Sequence, residues 1–483
     1  MILFTNKKLL LVIMSDILYL MPEIIMFIGT LLIKTASVFF KDRGSIVRVL
    51  SVSLLIFTAT ILIRNDFTFS SETFSFSTNA IGCYAKITII IISAFNLLLL
   101  DDAIKYQKEY NFSEYSLIIL FATLGMMMTI SASDFLMLFL SLEMQALCQY
   151  ILASYYRNNI LSSEAGLKYF ILGSMMSCIM LFGISLIYGF TGSIYYNEII
   201  SYLGEHNNSA INLGFILLAT GLLFKLSIAP LHIWTPDVYE GSPLVATIFF
   251  ATNSKLPILF VFIKIYHSIA PNLFNMCVDL CSIGFIGSAL VGAIGAIGQQ
   301  SIKRLFAYST ILNMSFVLLA LVSENGPKIA IIYILTYSIS MIGVGSLLYS
   351  LLGKNAEYAK ISDLAGAYNF CSYRSCMIAV IFFSFIGLPP FIGFATKFYV
   401  LKTAIASGFY LLSLCAIIAS SIACYYYLNI LRIMYFETTI EGHSFSSCSL
   451  INFAIGLTVS LIVILGFFAP SLFLDNLSKI SGY

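Results

Sequence analysis

Long apolar runs, separated by short polar connections, fill almost the whole chain. A helix that crosses a bilayer needs about 20 mostly apolar residues, and runs of that kind predict about fourteen spans. They lie at 17–40, 46–63, 80–100, 115–132, 134–155, 164–190, 211–240, 242–268, 273–298, 304–322, 327–353, 374–407, 408–436 and 448–474. Barrel strands would alternate apolar and polar positions, and these runs do not. The connections are too short for a soluble domain. The longest polar one, 353–375, carries Lys354, Lys360 and Arg374. The expected fold class is an all-α polytopic membrane protein.

The seventh and twelfth spans differ from the rest. The seventh reads GLLFKLSIAPLHIWTPDVYEGSP, with Pro230 near its middle, followed by Pro236, Gly241 and Pro243. The twelfth reads FFSFIGLPPFIGFATKFYVL, with Gly387, Pro389, Pro390 and Gly393. Proline removes a backbone donor and clashes with the preceding turn, so both spans are predicted to break at bilayer depth. The breaks fall five spans apart, which is the sequence pattern of an internal repeat of transporter type. An odd number of spans per unit inserts the second copy upside down. The expected organisation is a three-span segment (1–114), two inverted five-span units (115–268 and 273–436) and a last span (448–483). Kinks that serve packing alone are the simpler alternative. Thr235-Pro236-Asp237 reads as a helix start, with threonine as cap and proline in the first turn.

Composition strengthens the membrane reading. The chain is 60% hydrophobic and 10% charged, against about 25% charged residues in soluble domains. A soluble enzyme is thereby excluded, and the net charge of +2 gives no footprint for nucleic acid. Ten cysteines are scattered, and the close pairs Cys277/Cys281 and Cys371/Cys376 lack C-x-x-C spacing, so they read as small packed hydrophobes. The start imitates a signal peptide, but Asp16 and Glu23 interrupt it, and it reads as the first span or its lead-in. Lysine and arginine favour the connections after odd-numbered spans, among them Lys41, Arg43, Arg48, Lys105, Lys303 and Arg304. That bias predicts both termini on the non-cytoplasmic side.

Charges within the spans carry the chemistry. One ionisable residue at a span centre costs about 2.5–3.5 kcal/mol on insertion scales. Glu143 lies midway along its span, Lys225 precedes the Pro230 break, Lys255 is central in SPLVATIFFATNSKLPILF, and Lys397 follows the Pro389-Pro390 break. Each is expected to face protein or a water-filled cavity. Lys168 is close enough to a span end to snorkel, and Lys264 and Lys402 read as surface lysines. One glutamate does not neutralise three lysines. Some are then expected to be neutral part of the time or to stand in water, as a proton carrier requires. A lysine with a reference pKa near 10.4 drops by about 3–5 units on desolvation. A carboxylate about 6 Å away returns about 2.8 kcal/mol, roughly two units. One Glu–Lys contact, made or broken, thus moves a buried lysine between charged and neutral near pH 7. A sodium site would call for carboxylate and carbonyl ligands, and a single acid among lysines makes a poor one.

Glu143 in LSLEMQALCQYIL, Lys168 in EAGLKYFILGS, FKLSIAPLHIWTPDVYEGSP, KRLFAYSTI at 303–311 and GLPPFIGFATKF together resemble the antiporter-like membrane subunits of respiratory complex I, the proton-translocating NADH–quinone oxidoreductase. The resemblance runs along nearly the whole chain. HIWTPDVYEGSP, the length and Lys397 are most similar to the N-type members, whose mitochondrial counterpart is subunit 2. M-type members typically carry glutamate at the place of Lys397, and L-type members add a lateral helix.

The resemblance implies that Glu143 modulates Lys225, that Lys255 connects half-channels and that Lys397 exchanges protons with the other side, with Lys168 in the same set. It implies a chain without its own cofactor, with NADH, flavin, iron–sulfur clusters and quinone in partner subunits. The implied partners are M-type and small membrane subunits and the lipid bilayer, in a bacterial inner membrane. Asn313 departs from the family, which often has histidine there, so a relay through that point needs water or another group. His232 reads as a packed histidine and Trp234 as an interface or packing residue. Two other functions stay open: a cation/proton antiporter subunit of the same fold, and a scaffold whose charges only hold helices together.

Overall fold

The computed structural model describes residues 20–39, 43–64, 76–77, 80–106, 112–205, 208–269, 273–323, 326–438 and 450–466. The apolar runs form helices. The first eight are α1 (Met21–Ala36), α2 (Arg43–Arg64), α3 (Ala80–Tyr106), α4 (Phe112–Ser131), α5 (Phe135–Ala153), α6 (Ile160–Thr191), α7 (Tyr196–Glu205) and α8 (Ser209–Lys225). Then come α9 (Trp234–Gly241), α10 (Leu244–Ala251), α11 (Lys255–Ile263), α12 (Phe274–Gly295), α13 (Ile302–Leu321) and α14 (Gly326–Leu352). The last are α15 (Ala367–Phe370), α16 (Ser372–Ile386), α17 (Ile392–Ala406), α18 (Tyr410–Phe436) and α19 (Leu450–Leu465). Among the described residues, ten helical segments are long and apolar enough to cross a membrane, with Leu244–Tyr266 taken as one, and three shorter helices are apolar. The chain is an all-helical polytopic membrane protein. The lead-in before residue 20 and the chain beyond 466, on which the expected side of the termini depends, lie outside the described residues.

Caps and small residues set the helix positions. The Asp134 carboxylate accepts the Met137 N–H at 2.5 Å and starts α5, and Asn159 accepts the Leu161 N–H at 2.9 Å at the start of α6. Helices in lipid gain most from close packing at small residues. A Cβ on Gly183 would lie 2.6 Å from the Gly214 carbonyl oxygen, so α6 and α8 meet backbone to backbone. That contact fixes α8, and with it the lysine at its end.

The seventh expected span is two helices, α8 and α9, joined by 226–233, where Ser227 takes the left-handed conformation (φ 64°). The twelfth is α16 and α17, separated at Gly387 (φ 86°), where a side chain would be strained. The eighth span, expected to be continuous, is also interrupted. α10 stops at Ala251, α11 begins at Lys255, and a π-helical turn (Lys264–Ile269) ends it. Pro257 is the physical reason, because it has no N–H for the Asn253 carbonyl one turn earlier. Lys255 therefore stands at a helix start rather than in mid-helix.

Two local expectations need correction. Thr235 does not cap α9. The helix begins at Trp234, and the Thr235 hydroxyl is buried without a partner. The start is held by Trp234 instead, whose ring stacks on Tyr169 (4.4 Å, 5°) and whose Nε1 donates to the Phe224 carbonyl at 3.1 Å. Trp234 is thus a core residue, 1% exposed, and not an interface anchor. Lys264 is not a surface lysine either: its Nζ donates to the Ala132 carbonyl at 2.6 Å inside the bundle.

The connection at 353–375 is ordered by Glu357, in a 3₁₀ turn (Gly353–Tyr358). This carboxylate is buried and accepts from Tyr349 Oη at 2.5 Å, the Leu244 N–H at 2.8 Å and Tyr156 Oη at 3.2 Å. It ties α14, the start of α10 and the α5–α6 connection together, and places negative charge at a helix N-terminus. Glu357→Ala leaves three buried donors without an acceptor, at about 1–3 kcal/mol each. The expected outcome is a thermal unfolding midpoint in detergent at least several degrees lower, with Glu357→Gln less affected.

Candidate functional site

α5 carries Glu143 at its midpoint, and α8 carries Lys225 as its last residue. Lys225 Nζ lies 4.0 Å from Glu143 Oε1 and donates to the Leu142 carbonyl at 3.1 Å. The Ser177 hydroxyl of α6 donates to the same carboxylate oxygen. At an effective dielectric near 20, two unit charges about 4 Å apart attract by about 4 kcal/mol before desolvation. The pair is close but not in contact.

Lys255 is fully buried. Its Nζ donates to the Lys225 carbonyl at 3.0 Å and to the Ser227 hydroxyl, and lies 5.2 Å from the centre of the Trp234 ring. Both acceptors exist because α8 breaks. The last carbonyls of a helix have no intrahelical donor and carry the negative end of its dipole.

The same device recurs in the second half. Lys397, on α17, reaches back to the end of α16 and donates to the carbonyls of Phe385 at 2.7 Å and Ile386 at 3.0 Å. The Phe316 ring lies 5.3 Å from the ammonium. Lys397 also faces a cavity of about 20 Å³, large enough for one water. Asn313, Tyr333, Ser340, Ser384 and Thr396 are among its lining residues.

Behind that cavity runs a line of buried hydroxyl and amide groups. Tyr333 Oη donates to Asn313 Oδ1 at 2.9 Å, and Asn313 Nδ2 donates to the Ser309 carbonyl at 2.8 Å. Ser309 shares a hydrogen bond with Tyr427 Oη at 2.5 Å, and Thr310 one with Tyr337 Oη at 2.8 Å. Sequence reasoning singled out Asn313 but passed over Ser309, Thr310, Tyr333, Tyr337 and Tyr427. The signal was there in STILN, where polar residues recur one turn apart inside an apolar span.

Glu143, Lys225 and Lys255 thus form one constellation, and Lys397 a second. Lys168 joins neither. It lies at the surface, paired with Glu164 at 2.8 Å and Asp237 at 2.7 Å, and Asp237 also faces Arg304 at 3.8 Å. His232 is half-buried beside the break, with a buried, unpartnered Nδ1.

The family model described as NADH:quinone oxidoreductase/Mrp antiporter, TM matches residues 132–423. A relative from Rickettsia felis, NADH-quinone oxidoreductase subunit N, is 38% identical over 88% of this chain and 93% of its own length. Among solved structures, a chain of respiratory complex I from Thermus thermophilus with bound aureothin superposes with a TM-score of 0.81 at 24% identity, covering 94% of this chain and 98% of that one. A chain of the Mrp complex from Dietzia has a TM-score of 0.81 at 17% identity, covering 95% and 96%. At those identities the structural likeness speaks for the fold, while the sequence likeness decides the family. The chain belongs to the subunit N family of the NADH–quinone oxidoreductases.

Proposed function

We propose that this chain moves protons across a bacterial inner membrane as a membrane-arm subunit, driven by quinone reduction in other subunits, and that Glu143, Lys225, Lys255 and Lys397 carry the relay. NADH, flavin, iron–sulfur clusters and quinone belong to those partners. The observation that carries this reading is the placing of Lys255 and Lys397. Each is buried on carbonyls and hydroxyls freed by a broken helix, with no carboxylate within 4.0 Å among the described residues. Such a nitrogen keeps its acceptors whether it is an ammonium or an amine.

The same reading makes α4–α6, α8/α9 and α10/α11 one five-span unit and α12–α14, α16/α17 and α18 its inverted copy, in a chain of fourteen spans. The broken span is the fourth of each unit. The copies have diverged, since α18 runs unbroken over 27 residues where its counterpart is split at 252–254. Partner contact is supported by α5. Glu143 is a quarter exposed beside a stripe of exposed Leu136, Leu140, Leu147 and Ile151. A carboxylate opening onto lipid is costly, so a neighbouring membrane subunit covers this face.

Two outcomes test the relay. In the reconstituted oxidoreductase, Lys225→Ala lowers protons moved per NADH oxidised at least twofold while the complex still assembles, with Glu143→Gln falling between it and wild type. Wild-type coupling in Lys225→Ala removes that lysine from the mechanism. Sodium-dependent transport without flavin- or cluster-bearing partners in the purified complex would favour the antiporter alternative. Asn313→Leu replaces the polar wall of the Lys397 cavity with an apolar one and lowers proton flux at least twofold. Asn313→His, which restores hydrogen-bonding capacity, retains the flux; both are read with a pH-sensitive dye in vesicles.

A further inference from the structure

Among the described residues, the buried Glu23 and Lys86 and the half-buried Lys264 stand together outside the proposed relay. Glu23 of α1 and Lys86 of α3 are 3% and 1% exposed and paired at 2.6 Å, and Ser131 Oγ at the end of α4 donates to Glu23 Oε1 at 3.0 Å. The other carboxylate oxygen of Glu23 is buried without a partner. Lys264 begins the π-helical turn after α11, a distortion frequent at functional sites. Its Nζ donates to the Ala132 carbonyl at 2.6 Å and to Ser77 Oγ at 3.4 Å, and lies 5.3 Å from the centre of the Tyr196 ring. Among the described residues no carboxylate lies within 4.0 Å of it. Asp134, buried on the same connection, is engaged in capping α5.

The parts repeat those of the first constellation. Glu143 takes a serine hydroxyl and faces Lys225, as Glu23 takes a serine hydroxyl and faces Lys86. Lys255 rests on one backbone carbonyl, one serine hydroxyl and one aromatic ring, and so does Lys264. The difference is in the acid–lysine gap, which is open at 4.0 Å in the first set and closed at 2.6 Å in the second. Lys264 follows Lys255 by nine residues, about 13 Å along the helix. The second set therefore sits toward the membrane face that holds the α4–α5 connection. A polar link also leaves the break before Lys255: Asn253 Nδ2 donates to Ser93 Oγ at 2.5 Å, two turns from Lys86 on the same buried face of α3.

We propose that Glu23, Lys86 and Lys264 form a second proton-exchange site, through which the relay communicates with water at that face; the inference rests on the function proposed above. With the Glu23–Lys86 pair closed, Lys264 holds its proton. When the pair opens, the unneutralised Lys86 repels it, and Lys264 Nζ passes the proton to water and remains as an amine. The amine takes its next proton from water on the Lys255 side, and no other reactant is consumed.

The test compares four variants of the assembled oxidoreductase in liposomes, reading protons moved per NADH oxidised. Lys264→Arg keeps the charge and its hydrogen bonds but does not release a proton, and Glu23→Gln combined with Lys86→Met removes the pair without leaving a lone charge. Both are expected to fall at least twofold, to the level of Lys225→Met, while exposed Lys402→Met stays at wild type. A structural role for the cluster predicts Lys264→Arg at the wild-type ratio. If Lys225→Met falls and the other two remain at wild type, the second site is refuted and the first stands. If Lys225→Met itself stays at wild type, the relay falls and this inference with it. Should Lys264→Arg not assemble, the double variant decides by the same ratio.

Discussion

The structure turns on one interaction, a lysine nitrogen donating to the free carbonyls at the end of a half-helix. A carboxylate partner would hold the lysine permanently charged, and losing the proton would leave a buried anion uncompensated. A carbonyl or hydroxyl carries only a partial charge, and it accepts from an ammonium and, more weakly, from a neutral amine. Lys255 on the end of α8 and Lys397 on the end of α16 are held in this way. A continuous helix has no such carbonyls to offer inside a bilayer, because its own N–H groups consume them. The breaks are therefore what let a lysine be buried without fixing its protonation state.

On the proposed function, the single acid in the first constellation has a different task. Glu143 lies 4.0 Å from Lys225 and is itself held by Ser177, so a small displacement changes the field on the lysine without removing either group's other partners. Lys225 keeps the Leu142 carbonyl in any case. Because Glu143 opens sideways beside exposed leucines, its position is sensitive to whatever packs against α5. That places the adjustable element at the edge of the chain and the fixed cradles in its interior.

The sequence revealed the large features because they follow from solvation. Spans were legible as apolar runs, and the two major breaks as prolines in the middle of such runs. Pro257 was as visible as Pro230, but a lone proline in LPILF invites reading as a first-turn residue or a mild kink, and only the three-dimensional fold shows the helix interrupted there. Lys86 and Lys264 escaped for a different reason. A lysine one or two turns from a span end has the option of snorkelling, and whether it uses that option depends on what packs around it. Glu23 opposite Lys86, and Ala132 with Tyr196 around Lys264, come from remote parts of the chain. Thr235 misled because the local cap signal competed with a tertiary one. The stack of Trp234 on Tyr169 starts α9 two residues early.

On the proposed function, the second half shows how a relay could pass a position that has no titratable group. The Asn313 side chain is an amide, which does not carry a proton at neutral pH. It does hold both a donor and an acceptor, and here the acceptor is taken by Tyr333 and the donor by Ser309. With both ends engaged, Asn313 is a fixed polar wall, and the moving part becomes the water that the adjoining cavity accommodates. A histidine would titrate but would also turn and compete for Tyr333. With an amide there, the proposed relay has a hydrated step in place of a titrating one, and Lys397, seated on two carbonyls, lines the same cavity as that water would.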